Sequence, residues 1–126
     1  MRRAPVNLEA VAVAALQPLG VHVGTKVPNP RPTSLIRVGT VSGGIPARMV
    51  EAPLLLVECW AVDSVAAFEL ARDAWALLVD LAKTFVAGAW VLSVDASRPV
   101  NFPDALTNLP RYQFTATVRV ALEEIP

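Results

Sequence analysis

Residues 111–122, RYQFTATVRVAL, alternate without a break. Tyr112, Phe114, Ala116, Val118, Val120 and Leu122 fall on one side; Arg111, Gln113, Thr115, Thr117 and Arg119 fall on the other. Successive side chains of a strand point to opposite faces, so this period of two predicts a long strand with one buried face. A sheet must therefore organise the fold, and something apolar must cover one side of it. The lead-in to this strand, RPVNFPDALTNLP, is of the opposite character. Pro99, Pro103 and Pro110 each fix φ and remove a backbone donor, so residues 98–110 form an irregular, stiff connection.

The other segments supply the cover. Asn7 is placed to cap a first helix whose apolar positions are Leu8, Val11, Ala12, Ala15, Leu16 and Leu19, ended by Pro18 and Gly20. VHVGTKV (21–27) alternates as a strand, PNPRPTS (28–34) is a rigid connection, and LIRVGTV (35–41) is a second strand. SGGIPARMVEAP (42–53) reads as a long loop or irregular hairpin end. LLLVECW (54–60) is apolar on both faces except at Glu58, which places it centrally in the sheet. Asp63 or Ser64 caps a second helix reaching about Ala82. Its apolar side is Ala67, Phe68, Ala71, Ala74, Trp75, Leu78, Leu81 and Ala82; Glu69, Arg72, Asp73, Asp80 and Lys83 lie opposite. WVLSVD (90–95) is a further strand. The order α-β-β-β-α-β-β, with mostly hairpin-type connections, gives an α+β fold: two layers, an antiparallel or mixed sheet with both helices on one face. The whole length, 1–126, reads as one domain.

Composition bears on partners. The chain is 54% hydrophobic and only 17% charged, against roughly 25% charged in ordinary soluble domains. Yet no run approaches the ~20 apolar residues of a membrane span. The N-terminal segment resembles a signal peptide superficially, but Glu9 and Pro18 interrupt it and it reads as the first helix. The apolar excess therefore points to surface buried against other chains, with a dense core as the alternative. Eleven Lys+Arg balance eleven Asp+Glu, and no basic stripe marks a nucleic-acid binder.

Catalytic residues are scarce. Cys59 is the only cysteine and His22 the only histidine, which excludes an internal disulfide and a Cys- or His-based metal cluster. Together they would be the one nucleophile–base pair on offer. Against that, Cys59 lies inside an apolar run and reads as a buried thiol, while His22 takes a polar-facing strand position. Asp73, Asp80 and Glu69 share the solvated side of the second helix. Gly43 and Gly44 match no phosphate-binding motif. Neither a cofactor nor a metal is expected.

Three segments, VGTKVPNPRPTSLIRV, LLLVECWAVDSVAAFELARDAWALL and RPVNFPDALTNLPRYQFTATVRV, resemble in this order the tail terminator proteins of long-tailed bacteriophages of actinobacteria. The similarity covers roughly residues 21–121; its most specific parts are VPNPRP, ECWA.DS and PRYQFT. The resemblance implies the small α+β fold of lambda-type terminators and a non-enzymatic virion protein, present in the host cytoplasm during assembly. Such proteins form a hexameric ring on the head-proximal end of the tail tube, end tube growth and meet the head–tail connector or stopper. DNA passes through the ring without sequence-specific binding, and no membrane is involved. SGGIPARMVEAP and the N-terminal helix add little to the match.

On this reading the contact residues are Arg31, Arg37, Ile45, Arg48, Met49, Phe102, Asp104 and Arg111, the loop residues facing the tube and the rest facing neighbouring subunits. Glu69, Asp73 and Asp80 are candidates to line the lumen. Two alternatives stay open: another neck component, a head-completion or stopper protein, or a small α+β ligand-binding or enzymatic domain using Cys59 and His22.

Overall fold

A computed structural model describes all 126 residues. The long alternating segment forms β9 (Arg111–Ala121), and the main sheet is built around it. On one side β9 pairs antiparallel with β5 (Leu54–Trp60) and, beyond Pro53, with the two-residue β4 (Val50–Glu51). On the other it pairs antiparallel with β7 (Ala89–Ala96) and the two-residue β8 (Val100–Asn101). β3 (Leu35–Ser42) lies outside β5, with β2 (His22–Gly24) at that edge; β6 (Thr84–Val86) forms the opposite edge outside β7. A separate ribbon joins β1 (Arg2–Ala4) to β10 (Glu123–Ile125).

Register decides which residues are covered. Cys59 stands opposite Tyr112, Val57 opposite Phe114 and Leu55 opposite Ala116, and β3 adds Ile36 and Val38 to this face. Both helices, α1 (Leu8–Leu16) and α2 (Ser64–Val79), pack here, and the face belongs to a core of 19 buried residues. α2 contributes Ala67, Ala71, Ala74 and Leu78, all buried. Three small side chains in four turns let its backbone sit close to β5 and β9, leaving the large residues of the sheet to fill the gap. α1 is tied down by carboxylates: Glu9 accepts from the Thr40 amide at 2.8 Å, and buried Glu51 accepts from Val6 at 3.0 Å.

The α+β architecture and both helices on one face are as the sequence implies. Caps agree too: Asn7 Oδ1 accepts from Ala10, and Asp63 Oδ1 from Ala66. Several boundaries differ. α2 stops at Val79, short of Ala82, because Lys83 takes a left-handed φ of 64° and donates its amide to Val91 of β7. The hydroxyl of Thr84 caps the freed Leu81 carbonyl at 2.6 Å. The first strand shrinks from 21–27 to three residues and runs parallel to β3. Parallel partners cannot be joined by a tight hairpin, so the proline segment must carry the chain back, and it does so across the face the helices leave open. Five further strands of two or three residues are too short for any periodicity to reveal. No helix is long and apolar enough to cross a membrane.

Replacing Ala71 with Leu should cost about 1–3 kcal/mol by overpacking the helix–sheet contact, whereas Ala76→Leu, on the exposed side of the same helix, should be nearly neutral; urea denaturation of the two variants checks this.

Candidate functional site

The face turned away from the helices carries Arg37 and Leu35 of β3, Glu58 and Trp60 of β5, and Arg111 and Gln113 of β9. Leu35 and Trp60 are as buried as the main core, yet they sit on the other side of the sheet and outside its cluster. Loops cover them: the proline connection 25–34 from one side and the lead-in 102–110 from the other.

Charge organises this patch. Glu58 has an 8% exposed side chain and accepts from Arg37 through both carboxylate oxygens, at 2.8 and 3.0 Å. Its Oε2 also accepts from Arg111 Nη1 at 2.9 Å. One carboxylate on the central strand thus clamps an arginine on each neighbour. Arg111 is nearly enclosed, with 11% of its side chain exposed, and Arg37 is 39% exposed. Three guanidinium groups surround the Trp60 ring: Arg31 at 5.0 Å, Arg37 at 5.3 Å and Arg111 at 5.5 Å from its centroid, each in cation–π range. Arg31 makes no ion pair; its Nη2 and the Trp60 Nε1 are buried donors with no hydrogen-bond partner. Arg31, Pro32, Thr33, Val62 and Leu109 frame a groove of about 300 Å³ against Trp60.

The lead-in is closed at its base. Phe102 N donates to the Arg111 carbonyl, and Arg111 Nε donates to the Phe102 carbonyl at 2.8 Å. Inside the loop Asp104 Oδ1 accepts from the Leu106 amide at 3.0 Å, and Asn108 takes a left-handed φ of 56°, which asparagine tolerates. The Leu106 amide, helped by Thr107 and the charge of Arg111, holds the Asp104 carboxyl below its ordinary 3.8. The result is a fixed loop displaying apolar side chains outward: Phe102 is exposed and Leu106 is 95% exposed.

The sequence-expected contact residues therefore fall into two groups. Arg31, Arg37, Phe102, Asp104 and Arg111 gather around Trp60 at the start of β9. Ile45, Arg48 and Met49 lie on the exposed β3–β4 loop, at the far end of β9, where Val50 pairs with Ala121. Ile45 is 97% exposed. Arg37 and Arg111 are not free surface charges as an alternating strand suggests, since Glu58 engages both. Glu58 and Trp60 were missed as site residues; the signal available was a lone carboxylate in an otherwise apolar central strand, which cannot be buried without a cationic partner. Glu69 and Asp73 on α2 and Asp80 just past its C-terminus are exposed and lie on the helix side, away from this patch.

The Cys59–His22 pair does not form. Cys59 points into the helix-covered face, where burial pushes its thiol pKa far up; His22 aligns with Leu35 and belongs to the open face. No three of His, Cys, Asp and Glu converge as a metal site. Anionic or apolar groups are what the arginine–tryptophan patch can hold.

Neither a protein-family model nor a curated protein sequence matches the chain. Its fold is similar to that of a chain in the virion of a native gene transfer agent particle, with a TM-score of 0.51 and 16% sequence identity over 93% of this chain and 95% of that one.

Glu58→Ala should cost about 3 kcal/mol or more, because it strands two guanidinium groups against a buried ring; Arg37→Ala, at the more exposed pair, should cost about 1 kcal/mol or less. Equal losses in denaturation experiments would contradict this ranking. Acid should act on the lead-in with a defined sign. Asp104's folded pKa lies below 3.8, so its contribution is complete above 3.8 and is lost as pH falls through the lower folded value. The Leu106 amide resonance in an NMR titration should shift with a midpoint below 3.8, and Asp104→Asn should show the loosened loop already at neutral pH.

Proposed function

We propose that this chain is a structural protein of a phage-like virion and, within it, the tail terminator: a ring on the head-proximal end of the tail tube that ends tube growth and joins tail to head. The observation that carries the reading is the likeness of fold to a chain of the gene transfer agent virion, which spans nearly all of both chains. The resemblance of VPNPRP, ECWA.DS and PRYQFT to tail terminators narrows it.

Physical features of the surface support the reading. Subunits of a closed ring meet head to tail and need two different complementary patches each. This chain exposes large apolar side chains in separate places: Val41 near the end of β3 with Ile45 and Met49 on the β3–β4 loop, Phe102 and Leu106 on the lead-in, and Phe85 on the β6 edge. The lead-in is held by its own hydrogen bonds, so little conformational entropy is lost when a partner covers it. In the ring, Ile45, Arg48 and Met49 face the tail tube, and the Trp60 patch faces a neighbouring subunit. Glu69, Asp73 and Asp80 give the helix side an acidic surface along which DNA slides if that side faces the lumen.

Particles assembled without this chain should carry overlong tubes and unjoined heads, as seen by negative-stain microscopy. The double substitution Ile45→Ala, Met49→Ala should reproduce part of that defect while leaving the fold intact, because neither side chain belongs to the core. Tails of normal length with joined heads in the double variant would remove the loop from the tube contact; the same result without the chain would overturn the terminator reading.

A further inference from the structure

The groove beside Trp60 has an unmet requirement. A buried indole N–H and a buried Arg31 N–H both lack an acceptor, and such orphans are rare in folded proteins. Trp60 is only 2% exposed, so bulk water reaches it poorly. The surrounding charges are unbalanced as well. Arg31, Arg37 and Arg111 face Glu58 and, at longer range, Asp104, which leaves one guanidinium charge over, and Arg31 is the one in no ion pair. Two donors and one spare positive charge, next to exposed Val62 and Leu109, specify a carboxylate carried on an apolar segment.

The chain has such a segment. At the other end of β9, β10 presents Glu123, exposed and with a carboxylate in no hydrogen bond or ion pair, while its neighbour Glu124 is held by Arg3 at 2.9 Å. Phe85, Trp90 and Leu122 line an apolar hollow of about 540 Å³ beside these acids. The Trp60 end therefore combines arginine with an apolar rim, and the β10 end combines glutamate with an apolar rim. Eleven residues of β9 separate the two, roughly 35 Å at 3.3 Å per residue, too far for contact within one subunit. Of the other acids in no ion pair or hydrogen bond, Glu69 and Asp73 lie on α2 beside Arg72 of the same helix, and Asp80, just past α2, and Asp95, on β7, line no apolar hollow.

We propose that the Trp60 groove of one subunit receives the β10 ribbon of a second copy, with the Glu123 carboxylate accepting from Arg31 and the Trp60 indole. The contact is heterologous, one end of β9 against the opposite end of the next, and repeated it links subunits in series. It rests on the ring reading and names the surfaces that close the ring.

Charge reversal tests it. Arg31→Glu and Glu123→Arg should each weaken self-association about tenfold or more, measured by sedimentation velocity. An equimolar mixture of the two should restore it, because each mixed contact is either the original pair or its reverse; a misfolded subunit could not be rescued this way. Oxidation of the double variant Thr33→Cys, Ile125→Cys should give a ladder beyond dimer, and neither single variant should. Wild-type oligomers that Glu123→Arg leaves intact would overturn this interface while leaving a ring built on other surfaces. Losses that the mixture does not restore would also overturn it. So would a wild type that stays monomeric and gives no ladder; the terminator reading is then decided separately, by tails assembled without the chain.

Discussion

One buried carboxylate ties the open side of this molecule together. Glu58 sits at the middle of the central strand β5, with Arg37 across one strand boundary and Arg111 across the other. A lone ionised group in that position would be prohibitively costly, and two guanidinium partners make it tolerable. Much follows from the clamp. Arg111 is fixed, so its backbone and side chain can close the lead-in loop through Phe102. Arg37 and Arg111 are also held against Trp60, which lets loops instead of helices bury that ring. The helix side needs no comparable device, because alanines on α2 and the alternation of β9 pack a conventional apolar core there.

The sequence made the helix side legible and left the open side mostly dark. Period-two alternation in residues 111–122, helical spacing from Leu8 to Leu16, and alanines at 67, 71 and 74 each involve neighbours whose distances local geometry sets. The fold class and the face chosen by both helices therefore followed directly. The burial of Cys59 was equally readable from its apolar run. The parallel pairing of β2 and β3 was not, since nothing local distinguishes a proline loop that turns from one that crosses back. Nor was the reuse of polar-face residues: Arg111 and Arg37 look solvent-directed in the alternation and only the register of β3, β5 and β9 brings them onto Glu58. Five of the eight expected contact residues converge around Trp60, because the two proline segments that carry three of them both fold onto the open face.

That convergence defines what the open face can bind. The patch contains no nucleophile–base pair, and the one thiol and one imidazole lie on opposite faces of the sheet. What it offers is cationic, aromatic and rigid, with buried donors facing a groove. The exposed β3–β4 loop lies at the other end of β9, and the proposed ring uses both surfaces.

A terminator is defined by its position in the particle, and cryo-electron microscopy of intact particles tests that position most directly. If the chain is the terminator, its density should form a closed ring at the head-proximal end of the tail tube, with the β3–β4 loop against the last tube layer. Density for the chain anywhere else, in the head, along the tube or at the distal tip, would contradict it.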